Sequence, residues 1–156
     1  MRNSRIVYVS VILLALSLLP GCASNRATAS LTPGTDLAGI NTLYVVKSPE
    51  DERDINELIK ASLVRRGYAV TTGTDRKPDT KVDALVTYAD KWFWDITMYM
   101  LELTIVLRDP ATNFPLATGN SYHTSLSRKS KEEMVEEVLD NIFKATSKAA
   151  SKSDSK

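Results

Sequence analysis

The chain predicts an α+β fold: a single sheet of about four to five strands, mostly antiparallel, with two amphipathic helices packed on one face. Three observations lead there. Apolar residues recur at helical spacing in two separate places, Ile55 to Leu63 and Met134 to Phe143. Between them, three consecutive runs from Val82 to Thr124 alternate at the strand period with no helix between them. One strand–helix–strand unit precedes this cluster, and clustered strands closed by a helix mark α+β architecture rather than a repeating βαβ chain.

The elements follow in order. Thr42–Val46 (TLYVV) is a short β-branched run of the kind that forms a buried strand. In the segment that follows, Ser48 is placed to cap a helix, Pro49 suits its first position, and Glu50 and Asp51 suit its positive end. Ile55, Leu58, Ile59, Ser62 and Leu63 form its apolar stripe, and Gly67 behind Arg65 and Arg66 is a left-handed terminator. Tyr68 to Thr72 returns as a strand, followed by a polar loop from Gly73 to Lys81. In the strand from Val82 to Asp90, Ala84, Val86 and Tyr88 oppose Leu85, Thr87 and Ala89.

Thr97 to Arg108 alternates more clearly. Tyr99, Leu101, Leu103, Ile105 and Leu107 are expected on a core face, with Met98, Met100, Glu102, Thr104, Val106 and Arg108 on the other. Asp109 to Asn113 carries turn chemistry, and Leu116 to Thr124 is the returning strand. Ser130 and Glu133 are spaced as a capping box. The helix behind them carries Met134, Val135, Val138, Leu139, Ile142 and Phe143 and is expected to end near Thr146. The domain is therefore set at 39–146, with a disordered basic tail over 147–156 rich in serine and lysine.

At the amino end, Arg2 and Arg5 precede an apolar run from Ile6 to Leu19 and a break at Pro20-Gly21, the layout of a secretory signal over 1–21. As a helix this run spans roughly 21 Å at ~1.5 Å per residue, short of a ~30 Å hydrocarbon core. The run Leu19-Pro20-Gly21-Cys22 then resembles the lipobox of bacterial lipoproteins, with Pro20 where a small residue is more usual. The resemblance implies cleavage before Cys22, a diacylglycerol on its sulfur and a fatty acid on its new amino group. Two or three acyl chains make such an attachment durable. Ala23, rather than aspartate, follows the cysteine, and in lipoproteins that favours the periplasmic face of the outer membrane. The alternative is ordinary cleavage after Ala23, which would release a protein without acyl chains. Residues 22–38, small and polar with Pro33 and Gly34, are expected to form a lipidated tether reaching roughly 20 to 24 Å.

The single cysteine excludes an internal disulfide framework. Removing residues 1–21 takes Arg2 and Arg5 from 20 basic residues against 19 acidic ones and leaves a near-neutral chain with no clustered basic face, which argues against a nucleic-acid partner. Asp75, Asp79 and Asp83 lack the spacing of a calcium loop and one histidine cannot build a multi-histidine zinc site, so no metal and no cofactor is expected. The lipobox, the linker, the unit ending in Arg66-Gly67-Tyr68, the VDALVTY strand and the closing helix are together similar in style to compact domains of envelope lipoproteins. The TolB amino-terminal domain, the penicillin-binding-protein activator LpoB and CsgG-like proteins share that style.

The densest chemistry is Asp90-Lys91-Trp92-Phe93-Trp94-Asp95, which holds both tryptophans between two carboxylates. On a strand, Trp92 and Trp94 share one face and Phe93 takes the other. Such rings cap a core, form a protein hot spot, or stack on a sugar of peptidoglycan or another glycan. Met98, Met100 and Glu102 are expected to extend this into an adaptable docking surface. Asp90 with Asp95 could serve as a glycosidase acid–base pair, and His123 as a triad base. No nucleophile elbow accompanies His123, and nothing fixes the carboxylate separation. The sequence therefore predicts a lipid-anchored, periplasm-facing binding or adaptor lipoprotein that is not an enzyme and meets an envelope protein. The rivals are a small glycan-processing hydrolase and a shuttle for a lipid or sugar.

Overall fold

The computed structural model describes residues 25–75 and 78–153, with side chains through residue 148. The predicted signal, Cys22, and Arg76 and Lys77 of the predicted polar loop lie outside the described residues. The fold is α+β, a mixed sheet of six strands with two helices. The strands are β1 (Arg26–Leu31), β2 (Thr42–Val46), β3 (Ala69–Gly73), β4 (Ala84–Trp94), β5 (Met98–Arg108) and β6 (Pro115–Tyr122). The helices are α1 (Ile55–Arg65) and α2 (Lys131–Ser153), with a short 3₁₀ turn at Ser125–Ser127. The spatial order is β1-β6-β5-β4-β2-β3; β2 runs parallel to both β3 and β4, and the other pairings are antiparallel.

Four expectations are corrected. The sheet has six strands rather than four or five, and two of its five pairings are parallel. The extra strand is β1, inside the segment read as a tether. It alternates only Ala27, Ala29 and Leu31 with polar residues, a weak apolar signal, yet Ala29 and Leu31 pack against the core and the whole strand pairs with β6. Leu37, further along the same segment, is buried in the core as well. The first helix starts at Ile55 rather than Pro49: Ser48 to Asp51 forms a turn, and the buried carboxylate of Asp51 accepts from the backbone N–H groups of Arg53 and Asn56 and from the Tyr88 hydroxyl. The second helix continues past Thr146 to Ser153.

Other local signals hold. Gly67 has φ +93°, and the N–H groups of Gly67 and Tyr68 close onto the carbonyls of Val64 and Leu63, the paired bonds of a Schellman terminator. Ser130 and Glu133 exchange both bonds of the capping box, at 3.1 and 2.8 Å. One apolar cluster joins Ile55, Ile59 and Leu63 of α1, Met134 to Ile142 of α2 and the inner face of the sheet, so both helices cover one face. Arg66 ties them together through Glu136 and Asp140, each at 2.6 Å. On the opposite face Tyr44, Val46, Val82 and Leu85 form a small separate cluster.

Candidate functional site

The β4–β5 hairpin carries the aromatic run at its end. Its ladder is regular from Leu85/Arg108 to Lys91/Glu102, then shifts, so that Trp92 pairs with Met100, Phe93 with Tyr99 and Trp94 with Met98. Leu101 is the extra residue, a β-bulge. Past a bulge the strand alternation changes parity, and Met100 enters the core at 1% exposure beside Leu103 and Ile105. The expected docking surface of Met98, Met100 and Glu102 is therefore corrected: Met98 is exposed near the hairpin tip, Met100 is core, and Glu102 is held elsewhere. Glu102 binds Lys91 at 2.8 Å and accepts from Asn120 at 2.9 Å. The Lys91 ammonium first, and Asn120 with it, holds the Glu102 carboxyl below its ordinary range.

Trp92 and Trp94 fall on alternate positions as predicted, in different surroundings. Trp92 is half-buried, its indole N–H donates to Asp90, and the guanidinium of Arg53 lies 4.3 Å from its ring centroid. Trp94 and Phe93 are exposed, and Phe93 meets Tyr99 edge-on at 6.0 Å. Asp95 is bound by Arg128 at 3.2 Å. Arg128 also donates to Thr97 Oγ1 at 2.6 Å and to the Ser125 carbonyl at 3.1 Å, and stands 4.4 Å over the Tyr99 ring. One side chain thus fixes the hairpin tip to the turn ahead of α2.

Between these elements lies an open groove of about 630 Å³, with Trp92, Met98 and Met100 on the hairpin side and Arg53, Arg128 and Lys131 among the cations facing them. Lys131 donates to the Arg53 carbonyl at 3.0 Å, and among the described residues neither of these two cations is ion-paired with a carboxylate. The sequence reading missed all three. Arg128-Lys129-Ser130-Lys131 is visible as a short cationic run, but only folding brings Arg53 against Trp92.

His123 is 5% exposed and bonds Glu137 Oε2 at 2.7 Å, while Ser121 donates to the same oxygen and Lys129 binds Oε1, both at 2.5 Å. The carboxylate sits between Ser121 and His123, so the histidine is not placed to take the serine's proton. Burial pushes the Glu137 carboxyl up, but Lys129, Ser121 and His123 outweigh it and hold it down to about 2. This cluster clamps β6 to α2. Asp90 and Asp95 are likewise engaged, by Trp92 and by Arg128. Among the described residues no group of three or more histidine, cysteine, aspartate or glutamate side chains could hold a metal ion, and no helix is long and apolar enough to cross a membrane.

No family model and no curated protein matches the chain. Among solved structures it is similar to the PelC dodecamer from Paraburkholderia phytofirmans, at 15% identity and a TM-score of 0.56 over 75% of this chain and 98% of that one. A single-substitution variant of that protein gives 15% identity and 0.53 over 76% and 97%. TolB from Acinetobacter baumannii matches at 14% identity and 0.47, over 77% of this chain and 31% of that one. At these identities the PelC likeness is one of fold.

Proposed function

We propose that the protein is a lipid-anchored binding or adaptor lipoprotein, held by acylated Cys22 at the periplasmic face of the outer membrane and working without catalysis. The observation that carries the binding role is the groove at the hairpin end, where Trp92 is presented beneath Arg53 with Arg128 and Lys131 close by. A half-buried indole under a guanidinium, rimmed by cations and opening to solvent, has the make-up of a protein hot spot. Its charge suits a partner that brings carboxylates or phosphates.

A non-enzymatic role is supported by the engagement of each candidate catalytic group: Asp90 accepts from Trp92, Asp95 from Arg128, and Glu137 stands between Ser121 and His123. The shuttle reading has one observation in its favour, since about 630 Å³ falls within the usual volume of small-molecule sites.

A photo-crosslinker at position 92 in intact cells tests the proposal. The adaptor reading expects a discrete adduct with another envelope protein, lost when Arg53 and Lys131 both become Glu. An adduct of twice the chain's mass would name a second copy, as in the dodecamer that PelC forms. No adduct above background, with a small molecule co-purifying, would replace the adaptor by the shuttle.

A further inference from the structure

Sheet register fixes where the chain enters the domain. Arg26 pairs with Tyr122, Tyr122 with Glu102, and Glu102 with Lys91, so the start of β1 is level with the last regular rung of the β4–β5 hairpin. β1 runs away from the hairpin tip, so the chain reaches Arg26 from the tip's end of the sheet. Asn25 is bonded there by Ser127, and the turn holding Ser127 is bonded to the hairpin tip through Arg128. Only four residue steps separate Cys22 from Arg26, a span of at most about 14 Å. The hairpin projects beyond the Lys91/Glu102 rung by three more pairs, about 10 Å at ~3.3 Å per residue. Four residue steps are therefore enough for position 22 to reach the plane of the hairpin tip.

That same end gathers the apolar exposure of the molecule. Seven large apolar side chains are well exposed among the described residues, and five are here: Phe93 at 52%, Trp94 at 66%, Ile96 at 84%, Met98 at 46% and Leu126 at 86%. The sequence reading took no account of Ile96 or Leu126. The acidic Asp95 among them is neutralised by Arg128, so no unpaired carboxylate stands at the tip to oppose entry into a lipid interface. An exposed apolar tip that carries tryptophan, with the cations of the groove just behind it, has the composition of an interfacial membrane contact.

We infer that the β4–β5 hairpin tip, Trp94 and Ile96 with Leu126 beside them, is a second membrane contact that seats the domain on the bilayer holding the Cys22 acyl chains. This rests on the lipoprotein reading above. With the short leash it sets the orientation of the domain: the tip enters the headgroup region and the neighbouring groove around Trp92 opens close to the lipid surface.

The acylated mature protein in phosphatidylethanolamine–phosphatidylglycerol vesicles tests this, with chains brominated in one sample and plain in the other. The emission of Trp94 is read as the difference between the wild-type chain and Trp94→Phe, an exposed position whose change leaves packing intact. The inference expects that difference spectrum to be shifted to the blue, quenched by the brominated chains, and relieved of quenching by Ile96→Asp. If the acylated protein floats with the vesicles while Trp94 is quenched by aqueous acrylamide and not by bromine, the membrane contact falls and the anchor stands. The same holds if Trp94 is shielded from both quenchers, since protein then covers the tip. If the intact mass shows no acyl chain on Cys22, the lipoprotein reading and this inference fall together.

Discussion

Trp92 stands opposite Met100 across the β4–β5 ladder, although Lys91, one residue earlier, stands opposite Glu102. The bulge at Leu101 that this requires turns Met100 into the core while Phe93 and Trp94 stay exposed at the hairpin end. The two methionines of this strand end are thereby separated in role. Met100→Ala should cost about 2–4 kcal/mol, the range for truncating a fully buried methionine. Met98→Ala, at the exposed tip, should stay within about 0.5 kcal/mol. Urea unfolding of the two variants measures both, and equal costs would contradict the shifted register.

Glu137 couples β6 to α2 through Ser121, His123 and Lys129. Its carboxyl is held down to about 2 in the fold, against an ordinary 4.5. A depressed folded value contributes stability that is fully present above the ordinary value and is lost as pH falls toward the folded one. Thermal unfolding should therefore show a fall in Tm between about pH 4.5 and 2 that is shallower in Glu137→Gln. At neutral pH the same variant should lose about 1–3 kcal/mol, since it weakens charge-assisted bonds and leaves buried donors poorly matched.

At Gly119 the sheet packs hard against α2. A Cβ built there would lie 2.8 Å from both Val138 Cγ1 and Ile142 Cγ1. Gly119→Val should destabilise by about 1–3 kcal/mol or more, the usual effect of overfilling a packed core. Val138→Ala in the same chain should recover part of the loss, and a chemical-denaturation cycle over the two sites reads the coupling.

Much of this fold was legible in the sequence, because both helices carry full apolar stripes and one end of each carries recognisable chemistry. Gly67 and the Ser130–Glu133 pair do what their residue types predict. β1 was not legible, because alanine and a single leucine on its inner side barely differ from a flexible tract. It is a strand because β6 offers an edge and α2 covers it. In β5 the expected pattern failed at Met100, which is buried in the core, and at the bulged Leu101, while Tyr99 is buried as well; an inserted residue in one strand leaves no mark until its partner is known. The site was half visible. The aromatic run stood out, but Arg53 reaches Trp92 only through the tertiary fold, and Arg128 owes its role to Asp95, Thr97 and Tyr99 meeting it from another strand end.

Arg128 should act locally. It holds the tip through Asp95, Thr97 and Tyr99, and its ion pair is partly exposed, so it contributes little to global stability. Arg128→Ala should speed amide hydrogen exchange at Asp95, whose N–H donates to the Thr97 carbonyl, while leaving the core of β5 unchanged. Exchange that rises equally at Leu103 and Ile105 would show that the side chain supports the whole sheet instead.

The proposed placement of the domain beside a bilayer depends on Cys22. Intact-mass analysis of the mature protein extracted from membranes, set beside the cell fractionation of Cys22→Ser, tests it in one step. The expected result is a chain beginning at Cys22 that carries a diacylglycerol and an amide-linked acyl group, with the serine variant no longer acylated. A wild-type chain recovered from the soluble fraction, beginning after Ala23 and bearing no acyl group, would contradict it.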